Sequence, residues 1–298
     1  MKAFGSIRND FKWTRRQLDK DALSGEKVAV IGGTGGIGRA LAHALVAKGA
    51  EVLVIGRTFR DHDLPRLRFI QADLSSMKNA QKIAQELPAE TLDMLIMTQG
   101  IFAGRQRSIN QEGIELDMAV SYLSRLVMVH DMAERLGKNR TAGKPKPRVF
   151  VMGFPGSDRK ATLDDFNSEG RYHWQTAHMN TVVGNEALVL DCADRYPSVN
   201  FYGLNPGLIK SNILAGVLGE GTLAQKLQQM IIGFLFQSAE EYAEKILPLL
   251  VSTDIENRSG AMFGRNGDPI HANPSLLQKS YLMKVVQESE KLAKKALL

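Results

Sequence analysis

The sequence predicts one α/β domain with a doubly wound parallel sheet. Three observations carry that expectation. Short apolar runs alternate with amphipathic stretches from Val28 to Leu204; strands that alternate with helices pair in parallel through right-handed crossovers. The first apolar run passes directly into a glycine-rich turn and a helix. The chain of 298 residues contains no internal repeat or low-complexity segment that would divide it.

Taken in order, Val28–Ile31 is a strand, Gly36–Lys48 a helix and Glu51–Ile55 a strand. Phe69–Ala72 is a strand, Met77–Leu87 a helix and Leu92–Thr98 a strand. Glu112–Leu136 reads as one long helix, and Gly137–Pro147 as a polar surface loop before the strand Arg148–Met152. Ala177–Arg195 is a helix and Val199–Leu204 the next strand. Beyond Pro206 the chain turns irregular, then helical at Ser238–Leu250, then glycine-rich. It closes on a helix at about Ser280–Leu297, whose Lys291, Lys294 and Lys295 suit a helix C-terminus.

Composition narrows the function classes. Hydrophobic residues make up 44% and charged residues 23% of the chain, ordinary for a globular protein with a large core. The single Cys192 excludes an internal disulfide and fits a reducing compartment. The longest apolar stretch, Met230 to Phe236, is too short to span a membrane. Net charge is +6, with no basic-aromatic stripe, so nucleic-acid binding is not expected. Part of the excess lies in a basic arm, residues 1–22. Asp10, Asp19 and Asp21 argue against a mitochondrial presequence there, and a cytoplasmic location is expected. His and Cys spacing suggests no metal site.

The chemistry starts at the glycine turn. Gly33, Gly36 and Gly38, with Thr34 and Ile37 between them, follow a strand and open a helix in a Gly-x-x-x-Gly-x-Gly spacing. Such a turn lets backbone N–H groups approach a pyrophosphate at a helix N-terminus. A dinucleotide-binding, Rossmann-like domain over residues 23–298 follows. The second strand runs Val54-Ile55-Gly56-Arg57 and ends on a cation rather than a carboxylate. A guanidinium pairs with a 2′-phosphate, so NADP(H) is the expected cofactor.

Further motifs sit in order along residues 23–265, and with them the chain resembles the short-chain dehydrogenase/reductase family. Leu23-Ser24-Gly25-Glu26-Lys27 resembles the family's entry phrase. Asp73-Leu74 resembles its Asp-Leu pair after the third strand, where the Asp meets the adenine. Gln99-Gly100 stands in place of Asn-Asn-Ala-Gly. Asn205-Pro206-Gly207-Leu208, continuing to Ile209, resembles the segment that leads towards the nicotinamide. The resemblance implies hydride transfer on a small-molecule substrate. It also implies a homodimer or homotetramer formed through the fourth and catalytic helices, where Met118, Val120, Leu123, Val127 and Met128 are compatible with helix pairing and equally with core packing.

The catalytic set that the resemblance implies is absent. The family carries Asn, Ser, and a Tyr and Lys four apart on one helix. Here Ser121 replaces the Asn, and Ser157 is the nearest hydroxyl after the fifth strand. The best register puts His178 at the Tyr and Val182 at the Lys; a rival register puts Thr181 and Asn185 there. A histidine transfers protons near neutral pH without a neighbouring cation. Val182, one turn away, would give it an apolar neighbour and favour neutral imidazole. Arg171-Tyr172-His173-Trp174 would line a substrate pocket or form a partly buried connecting loop. The segment 209–236, rich in Leu, Met, Ile and Phe, reads as an apolar lid and hence implies an apolar substrate. Three functions stay open: an atypical NADP(H)-dependent oxidoreductase acting on a carbonyl, alcohol or activated alkene; a non-redox isomerase or cyclase; and an NADP(H)-binding pseudoenzyme.

Overall fold

The computed structural model describes residues 5–209 and 237–298. Its centre is an eight-stranded sheet in the order β3-β2-β1-β4-β5-β6-β7-β8. The strands are β1 (Lys27–Ile31), β2 (Glu51–Gly56), β3 (Leu67–Gln71), β4 (Met94–Met97), β5 (Arg148–Met152), β6 (Asn200–Leu204), β7 (Met262–Phe263) and β8 (Pro269–Ile270). All pair in parallel except β8, which returns antiparallel on β7. The central strands are apolar along their whole length because both faces are covered; all four residues of β4 and all five of β5 and β6 are buried.

Two helical layers enclose the sheet. One face carries α1 (Gly36–Ala47) and α6 (Ala239–Leu250), packed on Val28, Val30, Val52, Val54 and Phe150. The other carries α2 (Met77–Glu86), the long helix, α5 (Trp174–Arg195) and α7 (Lys279–Leu297). The long helix starts later than its pattern suggests and changes pitch. It runs as α3 (Leu116–Met118), a π-helical turn (Ala119–Leu123) and α4 (Ser124–Met132). Caps set the ends. Ser76 Oγ accepts from Asn79 N at 3.2 Å at the start of α2, where Glu112 also accepts from Met77 N at 2.7 Å. Ser238 and Glu241 form a reciprocal capping box on α6.

The segment preceding β1 is part of this fold from residue 5 onwards. Ile7 bridges Ile270 in antiparallel fashion, and Arg8 N donates to Pro269 O at 2.8 Å. Phe11 is buried, and Trp13 Nε1 donates to Gly267 O at 2.7 Å. The basic arm is therefore a strap along the β8 edge; its apolar residues dock it while its charges face solvent.

The covering of α4 and α5 decides between the two readings of the apolar positions on the long helix. Met118, Leu123, Val127 and Met128 are buried inside the chain. Helix α7 lies on α5. Tyr122, whose ring fills the space beside Gly184, donates to Ser289 Oγ of α7 at 2.6 Å. Apolar spacing alone cannot separate a pairing face from a core face, and here these four residues belong to the core. The expected lid lies, beyond Ile209, outside the described residues.

Candidate active site

In a doubly wound sheet a ligand binds at the C-terminal ends of the strands, where the order reverses. Here that crevice opens between β1 and β4, and its floor is glycine. Gly32 has φ +81°, and a Cβ there would stand 2.5 Å from Gln99 N. A Cβ on Gly38 would strike Thr98 Oγ1 and the Gly32 carbonyl. Gly33 is buried against Val30 and Val54. Gly35 and Gly36, by contrast, face open space at the N-terminus of α1. The glycines thus divide into those that let β1, β4 and α1 touch and those that leave backbone N–H groups bare. This arrangement suits a pyrophosphate.

Around the crevice, Thr34 packs against Gly56, and Ile37 is half-buried on the α1 side of the core. Arg57 is exposed at the end of β2, and its guanidinium has no ion pair among the described residues. The next loop is tied down by other groups: Arg39 grips Asp61 with Nε at 2.9 Å, and His43 Nε2 lies 3.2 Å from the same carboxylate. Asp73 is exposed, with Oδ1 accepting from Ser75 N at 3.0 Å. Leu74 is buried in the core, so its side chain does not reach the crevice surface. Gln99 turns its amide inward to Ser124 Oγ at 3.4 Å, and Gly100 follows it at the crevice. Gly207 has φ +70° and donates to Asn205 Oδ1 at 3.0 Å. Pro206 O accepts from Gln237 at 3.3 Å, and Ile209 bridges Gln237.

The proton-transfer candidate is better furnished than the sequence implied. His178 Nδ1 lies 2.9 Å from Asp117 Oδ2. A carboxylate only accepts, so Nδ1 carries the proton and Nε2 is the free acid–base atom. Asp117 is 1% exposed, while the His178 side chain is 19% exposed. A buried carboxylate that orients an imidazole is the arrangement of the Asp–His half of a hydrolytic triad, here with no serine beside it among the described residues. Phe102 covers the ring at 4.0 Å between centroids, and Trp174 meets Phe102 edge-on at 6.1 Å. The immediate partner of His178 is thus a buried acid rather than Val182. Thr181 is 1% exposed and donates back to His178 O at 2.8 Å, so the rival register presents no hydroxyl to the crevice. Tyr172 donates to Glu115 Oε1 at 3.2 Å; burial, then the Glu115 charge, pushes its phenol well above the usual range.

Ser121 and Ser157 are placed differently from His178. Ser121 Oγ accepts from Ile101 N at 3.0 Å, which ties the π-helical turn to the loop after β4. Ser157 follows Gly156, where a Cβ would strike the His271 carbonyl, Gly5 and Ile270 at the β8 edge. Its hydroxyl has no hydrogen-bond partner, and the structure does not join it to His178. Directly after β5 the position facing α5 is Gly153, against Asn185. Among the described residues His130, Asp191 and Cys192 bring ligand-type atoms within 4.8 Å of one another. Asp191 is held by Arg195 at 3.0 Å, and burial pushes the Cys192 thiol up.

Beneath the crevice lies a buried cation. Arg125, 2% exposed, donates to the carbonyls of Gln99 and Met152 and, at 3.0 Å, to Asn185 Oδ1. Asn185 Nδ2 donates in turn to Ser121 O and Thr181 O, each at 2.8 Å. Burial pushes the guanidinium down to about 9, still charged at neutral pH.

A sequence profile described as short chain dehydrogenase matches residues 26–144. An uncharacterized oxidoreductase of Saccharomyces cerevisiae is 47% identical over 289 residues, covering 96% of this chain and 93% of that protein. The chain belongs to the short-chain dehydrogenase/reductase family. Human retinol dehydrogenase 14 is 24% identical over 278 residues, covering 84% of this chain and 81% of the relative. Among solved structures, a short chain dehydrogenase from Shigella flexneri 2a complexed with NADP superposes with a TM-score of 0.59 at 17% identity, covering 82% of this chain and 98% of that one. An oxidoreductase from Escherichia coli gives 0.60 at 17% identity, covering 84% and 98%.

Three residues of this short-chain dehydrogenase site escaped the sequence reading. Gly32 is the first glycine of the Gly-x-x-x-Gly-x-Gly spacing, since Gly32, Gly36 and Gly38 satisfy it and Gly33 does not. Counting back from Gly36 would have found it. Asp117 stands one turn before Ser121 and 61 residues from His178; no local spacing links them. Arg125 lies in an apolar helix, and a charge there is the one signal that marked it.

Proposed function

We propose that the chain is an NADP(H)-dependent short-chain oxidoreductase acting on an apolar carbonyl, alcohol or activated alkene, with His178 and Asp117 as its proton-transfer pair. The 2.9 Å contact between His178 Nδ1 and Asp117 carries the reading. It favours an enzyme over a pseudoenzyme, because the buried carboxylate fixes an imidazole whose second nitrogen is accessible. The bare turn at Gly35 and Gly36 fits the pyrophosphate, and the unpaired Arg57 fits a 2′-phosphate. The aromatic surround of Phe102 and Trp174 fits an apolar substrate, in keeping with the retinol dehydrogenase relative.

A bound nicotinamide supplies or removes the hydride. The chain's own part is the proton. In reduction of a carbonyl the carbon–oxygen π pair moves to oxygen, and that oxygen takes the proton from His178 Nε2. Asp117 keeps the Nδ1 proton in place throughout and stabilises the imidazolium before transfer. A homodimer or homotetramer would have to use a surface other than the buried Met118, Leu123, Val127 and Met128.

Calorimetric titration with NADPH, NADP⁺, NADH and NAD⁺ tests the cofactor half. Arg57→Ala should weaken NADPH roughly ten- to a hundredfold, the value of a charge-assisted contact, and leave NADH nearly unchanged. In a carbonyl panel followed by nicotinamide absorbance, His178→Phe should lose roughly 100- to 10,000-fold in turnover while still binding NADPH. Absence of binding by all four nucleotides would sink the proposal.

A further inference from the structure

We infer that Arg125 is a positioning residue that biases a bound nucleotide towards its reduced form, so that the site is set for reduction. The inference rests on the nucleotide-binding reading above. Its starting point is an anomaly of charge. Among the described residues the other buried arginine, Arg148, is paired with Glu256 at 2.9 Å, and the half-buried Arg140 with Asp93 at 3.0 Å. Arg125 is as deeply buried, yet its hydrogen bonds all go to neutral oxygens, those of Gln99, Met152 and Asn185. Its Nε has no partner. A buried cation without an ion pair is costly. The carboxylate it feels through space is Asp117, which is committed to His178.

The position gives that charge an object. A dinucleotide lies across the strand ends with its pyrophosphate at α1. Its adenosine half extends towards β2, where Arg57 stands. In that orientation the nicotinamide half would be held towards β4 and β5, whose C-terminal ends Arg125 grips through Gln99 and Met152. The guanidinium lies close beneath the backbone that follows β4, since a Cβ on Gly100 would be 3.8 Å from Arg125 Nη2. The oxidised nicotinamide ring is a cation and the reduced ring is neutral. A fixed positive charge below the ring raises the free energy of the first and not of the second, and water exclusion strengthens the effect.

The test is the ratio of dissociation constants, NADP⁺ over NADPH, for the purified full chain. In the wild type the ratio should be well above one, on the order of ten. Arg125→Met and Arg125→Gln, the second retaining an amide donor, should each lower it by roughly fivefold, whereas Arg125→Lys should leave it in place. A merely structural Arg125 would weaken both nucleotides in parallel and keep the ratio fixed, and that result would overturn the inference. A wild-type ratio of one or less would overturn it as well, without recourse to variants that fail to fold. Failure of the wild type to bind either nucleotide instead removes the cofactor reading, and this inference with it.

Discussion

At the scale of single residues, the site separates groups that hold backbone from groups that do chemistry. Asp117 belongs to the second set. Asp117→Asn should lower turnover roughly a hundredfold or more with little change in nucleotide affinity, because the amide can present its N–H₂ to Nδ1 and reverse the tautomer. Steady-state kinetics that left kcat intact would refute the pairing. Gly38 belongs to the first set. Gly38→Ala drives a methyl group into Thr98 and the Gly32 carbonyl, which should cost about 1–3 kcal/mol in a denaturant titration and abolish nucleotide binding. The glycine turn, the Arg57 cation and the His178 position are local patterns that a sequence displays, although the spacing starts at Gly32 rather than Gly33. The Asp117 partner was not legible, because a contact across 61 residues is made by the packing of α3 on α5 and leaves no trace in spacing.

At the scale of elements, α5 is anchored by polar side chains near its start and at its middle. His178 near its start reaches Asp117. Two turns on, Glu186 accepts from Gly156 N at 3.0 Å and from Asn273 N, so one buried carboxyl joins the loop after β5 to the segment after β8. Burial pushes that carboxyl up to about 7. A proton held more tightly in the folded than in the unfolded chain makes folding most favourable below the ordinary carboxylate value, near 4.5. That contribution is lost as pH rises towards 7 and is flat above. Wild-type stability should therefore fall by about 3 kcal/mol across this window. Glu186→Gln should remove the slope; thermal melts between pH 4.5 and 8 that stay parallel for the two proteins would contradict this. Strand and helix positions were largely legible from apolar period. The π-helical turn at Ala119–Leu123 was not, since it needs the tertiary bonds of Ser121 to Ile101 and Asn185. The two-residue strands β7 and β8 are too short for any period to show.

At the scale of the whole molecule, α7 does for the α5 face what a second subunit would do, and its removal is the test. A chain ending at residue 278 would uncover Tyr122 and the surface that Val285, Leu292 and Ala296 cover. It should form larger assemblies in sedimentation than the full chain does, through apolar surface left without cover. A truncated chain as monodisperse as the parent would show that α7 is an ornament. The strap before β1 has a different consequence, one of timing. Trp13 bonds to a carbonyl 254 residues further on. At a ribosomal rate of about 5–20 residues per second, its seat emerges only tens of seconds after it does. The first described segment to be synthesised is thus among the last to fold, and during that interval Phe11 and Trp13 are exposed and the β8 edge does not yet exist. Growth temperature and chaperone supply, rather than the final stability of the domain, should then govern how much of the protein is recovered.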